Sequence, residues 1–381
     1  MNSMLRTSLA CALVALAGAA KADITIGVSL SLTGPLSSLG LPVKASLPLW
    51  PERIGGEKVR LIVLDDASDT TGAVKNARRF VAEDKVDLML GSSGVPAVFA
   101  MAPVAAEAKT VQLALAPAPR PGGADDWTFP LPQPVSLMAD AVAQRMVADK
   151  VRRIAFLGWN EGYGEMWLQA FGAAAKKAAL EIVATERFAP PDTGITSQAL
   201  KVIAAKPDAV LIVGAGSAAA MPQINLRERG WAGPIYQTHG AASPDLIRVG
   251  GKHMDGAILP AGPVLVAEQL PASNPVKKSA LAYVAAYEAA NGKGTVSTFG
   301  AHAWDTGLLM AAAVPVALKK AQPGTPEFRA ALRDALEQVK ELPGAHGVFN
   351  MTPNDHLGLD QRARVMVKVE NGTWKYIPPA N

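Results

Sequence analysis

Short runs rich in Val, Ile and Leu alternate with segments of helical periodicity along almost the whole chain, and this alternation limits the possible architectures more than any other feature. Residues 24–30, 59–64, 86–90 and 111–115 read as buried strands. Between them, 70–82 places Ala73, Ala77, Phe80 and Val81 on one helical face, and 96–109 opens with Pro96, a residue suited to a helix's first turn. Such a β-α-β-α order predicts a largely parallel sheet covered by helices. The order restarts with strands at 154–157, 182–188, 209–213, 235–237 and 257–259 and helices at 163–179, 195–204, 218–229 and 244–249. Helices at 276–290, 298–319 and 326–339 and short strands at 347–350, 363–369 and 373–377 complete the chain.

Two Pro-rich stretches punctuate the pattern. Residues 117–134 hold six prolines with Gly122 and Gly123 and read as a crossover rather than a packed element; residues 260–275 read as a second crossover. The chain is therefore an α/β protein with two lobes. At 381 residues it has room for about two or three domains. Ligands of open α/β sheets bind beyond the carboxyl ends of the strands, so the cleft between the lobes is the expected site.

The first 22 residues have the design of an export signal. Arg6 supplies the positive region, 9–20 is apolar over 12 residues and too short to span a bilayer, and Ala20-Lys21-Ala22 is a small-x-small cleavage site, so the cut is expected after Ala22. A retained membrane anchor is the plainer alternative. A lipoprotein at Cys11 is disfavoured, because Ser8 stands where Leu is wanted. Loss of Arg6 and Lys21 lowers the formal charge from +4 to +2, and loss of Cys11 removes the single cysteine. That near-balance gives no footprint for nucleic acid, and the missing thiols exclude a disulfide framework and a cysteine metal site. The mature chain is expected in the periplasm, without stable membrane insertion.

Several segments then become familiar in combination. They are Ile24-Thr25-Ile26-Gly27-Val28-Ser29-Leu30-Ser31-Leu32-Thr33-Gly34-Pro35, Asp65-Asp66-Ala67-Ser68-Asp69, Gly91-Ser92-Ser93, Glu161-Gly162-Tyr163-Gly164-Glu165, Gly233-Pro234-Ile235-Tyr236-Gln237-Thr238-His239-Gly240, and the late helix pair with Phe299-Gly300-Ala301-His302-Ala303-Trp304-Asp305. In this order they resemble type I periplasmic solute-binding proteins of the leucine/isoleucine/valine class. The resemblance implies two Rossmann-like lobes with parallel sheets joined by three crossing strands, closing on a small ligand in the interlobe cleft. It implies delivery to the membrane permease of an ABC importer, by a monomer, with no cofactor and no chemistry on the ligand. The expected division is 23–130 plus 263–344 for one lobe and 131–262 plus 345–381 for the other, with hinges near Pro130, Gly262 and Gly344.

Candidate ligand residues follow from both readings. Small residues in Gly91-Ser92-Ser93-Gly94-Val95-Pro96 let a ligand approach the backbone, and the free N–H groups of the following helix suit a carboxylate; a plain turn is the alternative. The family's hydroxyl position falls on Val95 here, so Ser92 and Ser93 would supply hydroxyls. His239 stands where amino-acid binders of the family carry an acid, although a lone His also reads as a hydrogen-bonded structural residue. Tyr163 is expected on the cleft wall. Trp159 stacks there or packs in the core, and Leu39 adds an apolar surface. Arg120 either pairs with an anionic ligand or makes a surface pair with Asp125 or Asp126.

The turn Gly214-Ala215-Gly216-Ser217-Ala218-Ala219 imitates a dinucleotide fingerprint, but the next strand ends in Gln237-Thr238-His239 with no carboxylate for a ribose. Gly216 is therefore expected at the cleft edge, and an exported NAD-dependent oxidoreductase is the alternative from another class. A sensing regulator of the same fold is disfavoured, for want of a helix-turn-helix. The remaining histidines are scattered without i,i+4 pairing, so no metal site is expected. The ligand expected is a small carboxylate of the aromatic-acid type. A branched-chain amino acid is the alternative, with Glu161 or Asp65 reaching the ammonium.

Overall fold

The structure is a computed structural model and describes residues 23–118 and 127–379. The export signal over residues 1–22 and Arg120 lie outside the described residues. No helix among the described residues is long and apolar enough to cross a membrane.

The first sheet contains β1 (Ile24–Leu30), β2 (Arg53–Ile54), β3 (Glu57–Asp65), β4 (Leu88–Gly91), β5 (Val111–Ala114) and β6 (Thr128–Pro130), in spatial order β2-β3-β1-β4-β5-β6. Only β2 runs antiparallel to its neighbour. All seven residues of β1 are buried, as expected of a central parallel strand covered on both faces. The covering helices of this half are α1 (Ser37–Ser46), α2 (Thr70–Ala82) and α3 (Val95–Glu107).

A helix α4 (Val135–Ala148) leads into the second half, with β7 (Arg153–Trp159), α5 (Gly162–Lys177), β8 (Glu181–Phe188), α6 (Thr196–Ala204), β9 (Ala209–Val213), α7 (Ala220–Glu228), β10 (Ile235–Gln237), α8 (Pro244–Gly250) and β11 (Ile258–Ala261). The chain then returns to the first half through α9 (Lys277–Asn291), α10 (Thr298–Ala317) and α11 (Pro326–Glu337). A two-stranded ribbon of β12 (Leu342–Pro343) and β13 (Val348–Phe349) follows, and the chain ends in β14 (Val365–Glu370) and β15 (Thr373–Ile377). The second sheet is ordered β15-β14-β11-β10-β9-β7-β8, parallel from β11 to β8, with β14 and β15 antiparallel at its edge.

Two expectations need correction. Residues 117–134 are not wholly a crossover: Thr128–Pro130 forms β6, fully buried and in register on β5 (Leu113 opposite Phe129). The return to the second half also comes later than Gly344. His356 stacks on Phe129 at 3.7 Å, donates from Nδ1 to Thr128 O and places Nε2 2.9 Å from Glu337 Oε1, and Met351 N–H donates to Val339 O, so residues 348–356 pack on the first half. The third passage between the halves lies nearer Gly358–Ala363, where Gln133 Nε2 donates to Ala363 O.

The halves touch across the cleft. Ser217 N–H donates to Ser38 Oγ at 3.1 Å, and Thr298 Oγ1 donates to Ala242 O at 3.0 Å. One continuous cluster of buried apolar side chains takes in strands of both sheets, together with Leu39, Val95, Trp159 and Tyr163.

Candidate functional site

A cavity of about 400 Å³ lies between the halves. It is bounded by residues just beyond the carboxyl ends of the strands: Ser31 after β1, Ser93 after β4, Leu115 and Ala116 after β5, Trp159 ending β7, Ala215 after β9 and His239 after β10. Parallel strands all deliver their following loops to one edge, which is why residues far apart in sequence converge here. Pro35, Leu36, Leu39, Pro132 and Phe299 make the remaining wall strongly apolar.

Of the residues singled out from the sequence, Leu39, Ser93, Val95, Trp159, Tyr163 and His239 line the cavity. Ser92 does not. It is fully buried and donates to Asp66 Oδ2 at 2.5 Å, joining Ser29 and Ser31 around one carboxylate, so its hydroxyl is committed to the scaffold. Gly216 also stands off the wall. It adopts φ +56° in a short 3-10 turn (Gly216–Ala219), and a Cβ there would lie 2.2 Å from Ser38 Oγ and 2.6 Å from Leu39 Cδ1. It is a contact between the halves rather than a ligand contact.

Each helix start around the cavity shows how its N–H groups are used. Asp69 caps α2 through Gly72 N–H, and Glu161 caps α5 through Tyr163 and Gly164 N–H. Both carboxylates line the cavity but are engaged. Burial raises the Glu161 pKa against the lowering effect of those two N–H groups. α3 differs: its N-cap is Gly94, which has no side chain to cap with, and Ser93 to Ala97 all border the cavity. The first turn of α3 therefore opens on the cavity with its positive dipole end and unshared N–H groups. Ser93 Oγ accepts from Ser31 N–H, which leaves its own proton to donate.

On the opposite side, Tyr163 is a strut. Its hydroxyl donates to Thr238 Oγ1 at 3.0 Å and accepts from Gly240 N–H at 3.1 Å, and burial lifts its pKa above the usual phenol value. Its ring meets Trp159 and His239 edge-on, at 6.2 and 5.9 Å. Trp159 Nε1–H has no partner. Trp167 is fully buried and does not line the cavity.

The residues that sequence reading missed are His302 and His346. His302, on α10, lines the cavity and stacks on His346 at 4.1 Å and 19°. His346 Nδ1 lies 3.0 Å from Asp305 Oδ2, and Asp305 also accepts from the N–H groups of Ala345 and His346. The His302-to-Asp305 spacing of one helical turn was visible in the sequence, but nothing local ties it to His346 or His239. Among the described residues, no group of three or more His, Cys, Asp or Glu side chains is arranged to hold a metal ion.

Burial pushes the His239 imidazole down to about 3, and His346 acts in the same direction. Burial, His346 and His239 hold His302 well below its ordinary value. The unfolded chain takes up these protons below about pH 6.5, whereas the folded chain refuses them until far lower. In that window the unfolded state binds more protons, so stability that is full above pH 6.5 is lost as pH falls. For His239 alone the loss at pH 5 is about 2 kcal/mol. Thermal melts of the ligand-free protein from pH 7.5 to 5 should show this slope, and His239→Phe should reduce it, leaving the share of His302. An equal slope in both proteins would mean that His239 is charged or partnered in the folded state.

Comparison with known proteins bears on the whole chain. A family model described as "Periplasmic binding protein" matches residues 23–373. A Leu/Ile/Val-binding protein homologue of Brucella melitensis biotype 1 is 27% identical over 276 residues, 68% of this chain and 73% of that protein. The crystal structure of an extracellular ligand-binding receptor from Rhodopseudomonas palustris HaA2 is 41% identical and superposes with a TM-score of 0.91 over 94% of this chain and all of that one. A solute-binding protein of an R. palustris ABC transporter, solved with benzoate, shares the fold at 19% identity and a TM-score of 0.77, over 93% and 96% of the two chains.

Proposed function

The chain belongs to the periplasmic binding protein family, and from that premise we propose that it captures a small aromatic carboxylate and presents it to the membrane permease of an ABC importer. It is a ligand-binding receptor of the leucine/isoleucine/valine-binding class and not an enzyme. The export signal ending at Ala22 and the closure of two lobes about three crossings are parts of the same proposal.

One observation carries the choice of ligand. The two carboxylates on the cavity wall, Asp69 and Glu161, are spent as helix caps, while the start of α3 is left open. An anion gains the N–H groups and dipole of α3. An ammonium would have only Asp69 and Glu161 as counter-charges, both already hydrogen-bonded to helix N–H groups, and would face the positive end of the α3 dipole. Leu39, Val95, Trp159 and Phe299 offer faces for a ring, in a cavity of the size small-ligand sites have. The benzoate bound by the R. palustris neighbour is consistent with the fold accommodating such a molecule.

A branched-chain amino acid is the second reading. It is favoured by the names of the curated relatives and by Asp69 and Glu161 standing on the wall at all. Asp65 is removed from that reading, because it is off the cavity and accepts from Leu32, Thr33 and Ala67. Isothermal titration against benzoate, 4-hydroxybenzoate, 4-hydroxycinnamate and leucine separates the two. An aromatic acid at a hundred times its Kd should stabilise the protein by about 2.7 kcal/mol. Tight leucine binding with silence from every aromatic acid would overturn the proposal.

A further inference from the structure

Two imidazoles from opposite halves line the same cavity, and their ring nitrogens have no hydrogen-bond partners. His239 follows β10 and is 8% exposed; His302 sits on α10 and is 4% exposed. All four of their ring nitrogens lack a hydrogen-bond partner, as does Nε2 of His346 behind them. Buried polar atoms are rarely left unpaired, and five nitrogens in one place call for a group that completes them.

The chemistry of that group follows from what a neutral imidazole offers, which is one donor and one acceptor. A carboxylate only accepts, so it would engage the N–H donors and leave both lone pairs without a donor. An ammonium only donates. A hydroxyl does both: it can accept from one ring and donate to the other. Resting on the reading of the ligand as an aromatic acid, we propose that His239 and His302 form a subsite for a neutral hydroxyl on the ligand, separate from the α3 start that takes its carboxylate.

Three further observations fit this assignment. The Asp305 carboxylate accepts only, so the Nδ1 of His346 is the donor between them. His346 stacks nearly flat on His302 and so fixes the plane of that ring. The groups around the pair are Tyr163 and Trp167 on α5, Phe299 on α10, and His346 with Asp305; the one carboxylate among them is already taken by His346 and two backbone N–H groups. The burial that keeps both imidazoles neutral therefore leaves neither of these two rings a charge to attract the carboxylate.

The test compares a hydroxyl with a methyl group of similar size. By titration calorimetry, 4-hydroxybenzoate should bind about tenfold or more tightly than 4-methylbenzoate, or 4-hydroxycinnamate than 4-methylcinnamate, even though methyl is the more apolar group. In His302→Phe, which keeps the ring shape, that ratio should collapse toward one or invert. The wild-type ratio stands as a test even if the variant folds poorly. Affinity for the hydroxy acid should also stay level from pH 8 to 6. Methyl analogues that bind as well as hydroxy acids in both series would overturn the subsite, while leaving the aromatic-acid reading intact. Uptake of about one proton on binding would also overturn it, by placing the carboxylate at the histidines. Silence from all four acids overturns both readings.

Discussion

Gly216→Ala should weaken ligand binding about tenfold to a hundredfold without touching the ligand. Gly216 sits at φ +56°, and its missing side chain is what lets the second half approach α1. A Cβ would meet Ser38 Oγ at 2.2 Å and Leu39 Cδ1 at 2.6 Å, both on the far side of the cleft. The left-handed backbone penalises alanine by about 1–2 kcal/mol, but it does so in open and closed states alike and drops out of binding. The clash exists only where the halves touch. Overpacking of this kind costs about 1–3 kcal/mol, and a ligand must supply that energy before it can hold the closed form. Each 1.4 kcal/mol is about a factor of ten in Kd. Small-angle scattering should accordingly show less ligand-induced shrinkage than in the parent protein. Adding Ser38→Ala removes the nearest atom and should restore part of the affinity. Unchanged affinity in a folded Gly216→Ala protein would mean that the ligand is held without this contact.

The α/β architecture was legible because parallel strands buried on both faces must be apolar throughout. Residues 24–30 and 209–213 announce themselves this way, and the structure gives β1 and β9 those bounds. What escaped was whatever broke the local rules. α1 contains Pro42, which reads as a helix breaker, yet it is tolerated on a short helix packed between α10 and the first sheet. α4 begins directly after Pro134 in a stretch whose prolines read as linker, and seven of its residues are buried. β6 is three residues long and is held as a strand by its register on β5, a tertiary effect that no window of sequence contains.

The site was legible in the same partial way. The rule that ligands sit beyond strand ends picked out Ser93, Trp159, Tyr163 and His239, which line the cavity. It could not separate Ser92 from Ser93, because in an irregular loop the direction of each side chain is set by what it can bond. Nor could it find the histidine cluster. His302 and His346 belong to separate elements, and only the packing of α10 against the segment after β12 brings them together.

Asp66 is where the scaffold depends most on one buried charge, and Asp66→Ala should cost about 3–5 kcal/mol of stability. Its carboxylate is 1% exposed and accepts from Ser31 Oγ at 2.8 Å, Ser68 N–H at 3.0 Å, Ser29 Oγ at 3.2 Å and Ser92 Oγ at 2.5 Å. These donors come from the end of β1, the turn after β3 and the loop before α3, so one side chain ties together three of the loops that shape the cavity. Truncation leaves buried donors unpaired at about 1–3 kcal/mol each, reduced where a hydroxyl can turn to another acceptor. Against a total of about 5–15 kcal/mol this loss is large enough to appear directly in the urea midpoint. Ser92→Ala removes one donor and leaves the carboxylate three, so it should cost about 1 kcal/mol and leave ligand affinity unaltered. Ser93→Ala takes the acceptor from Ser31 N–H and should cost a similar amount of stability, but it should also weaken binding of an aromatic acid. If Ser92→Ala instead loses affinity while Ser93→Ala does not, the hydroxyl facing the ligand has been assigned to the wrong serine, and the path of the loop before α3 would have to be redrawn.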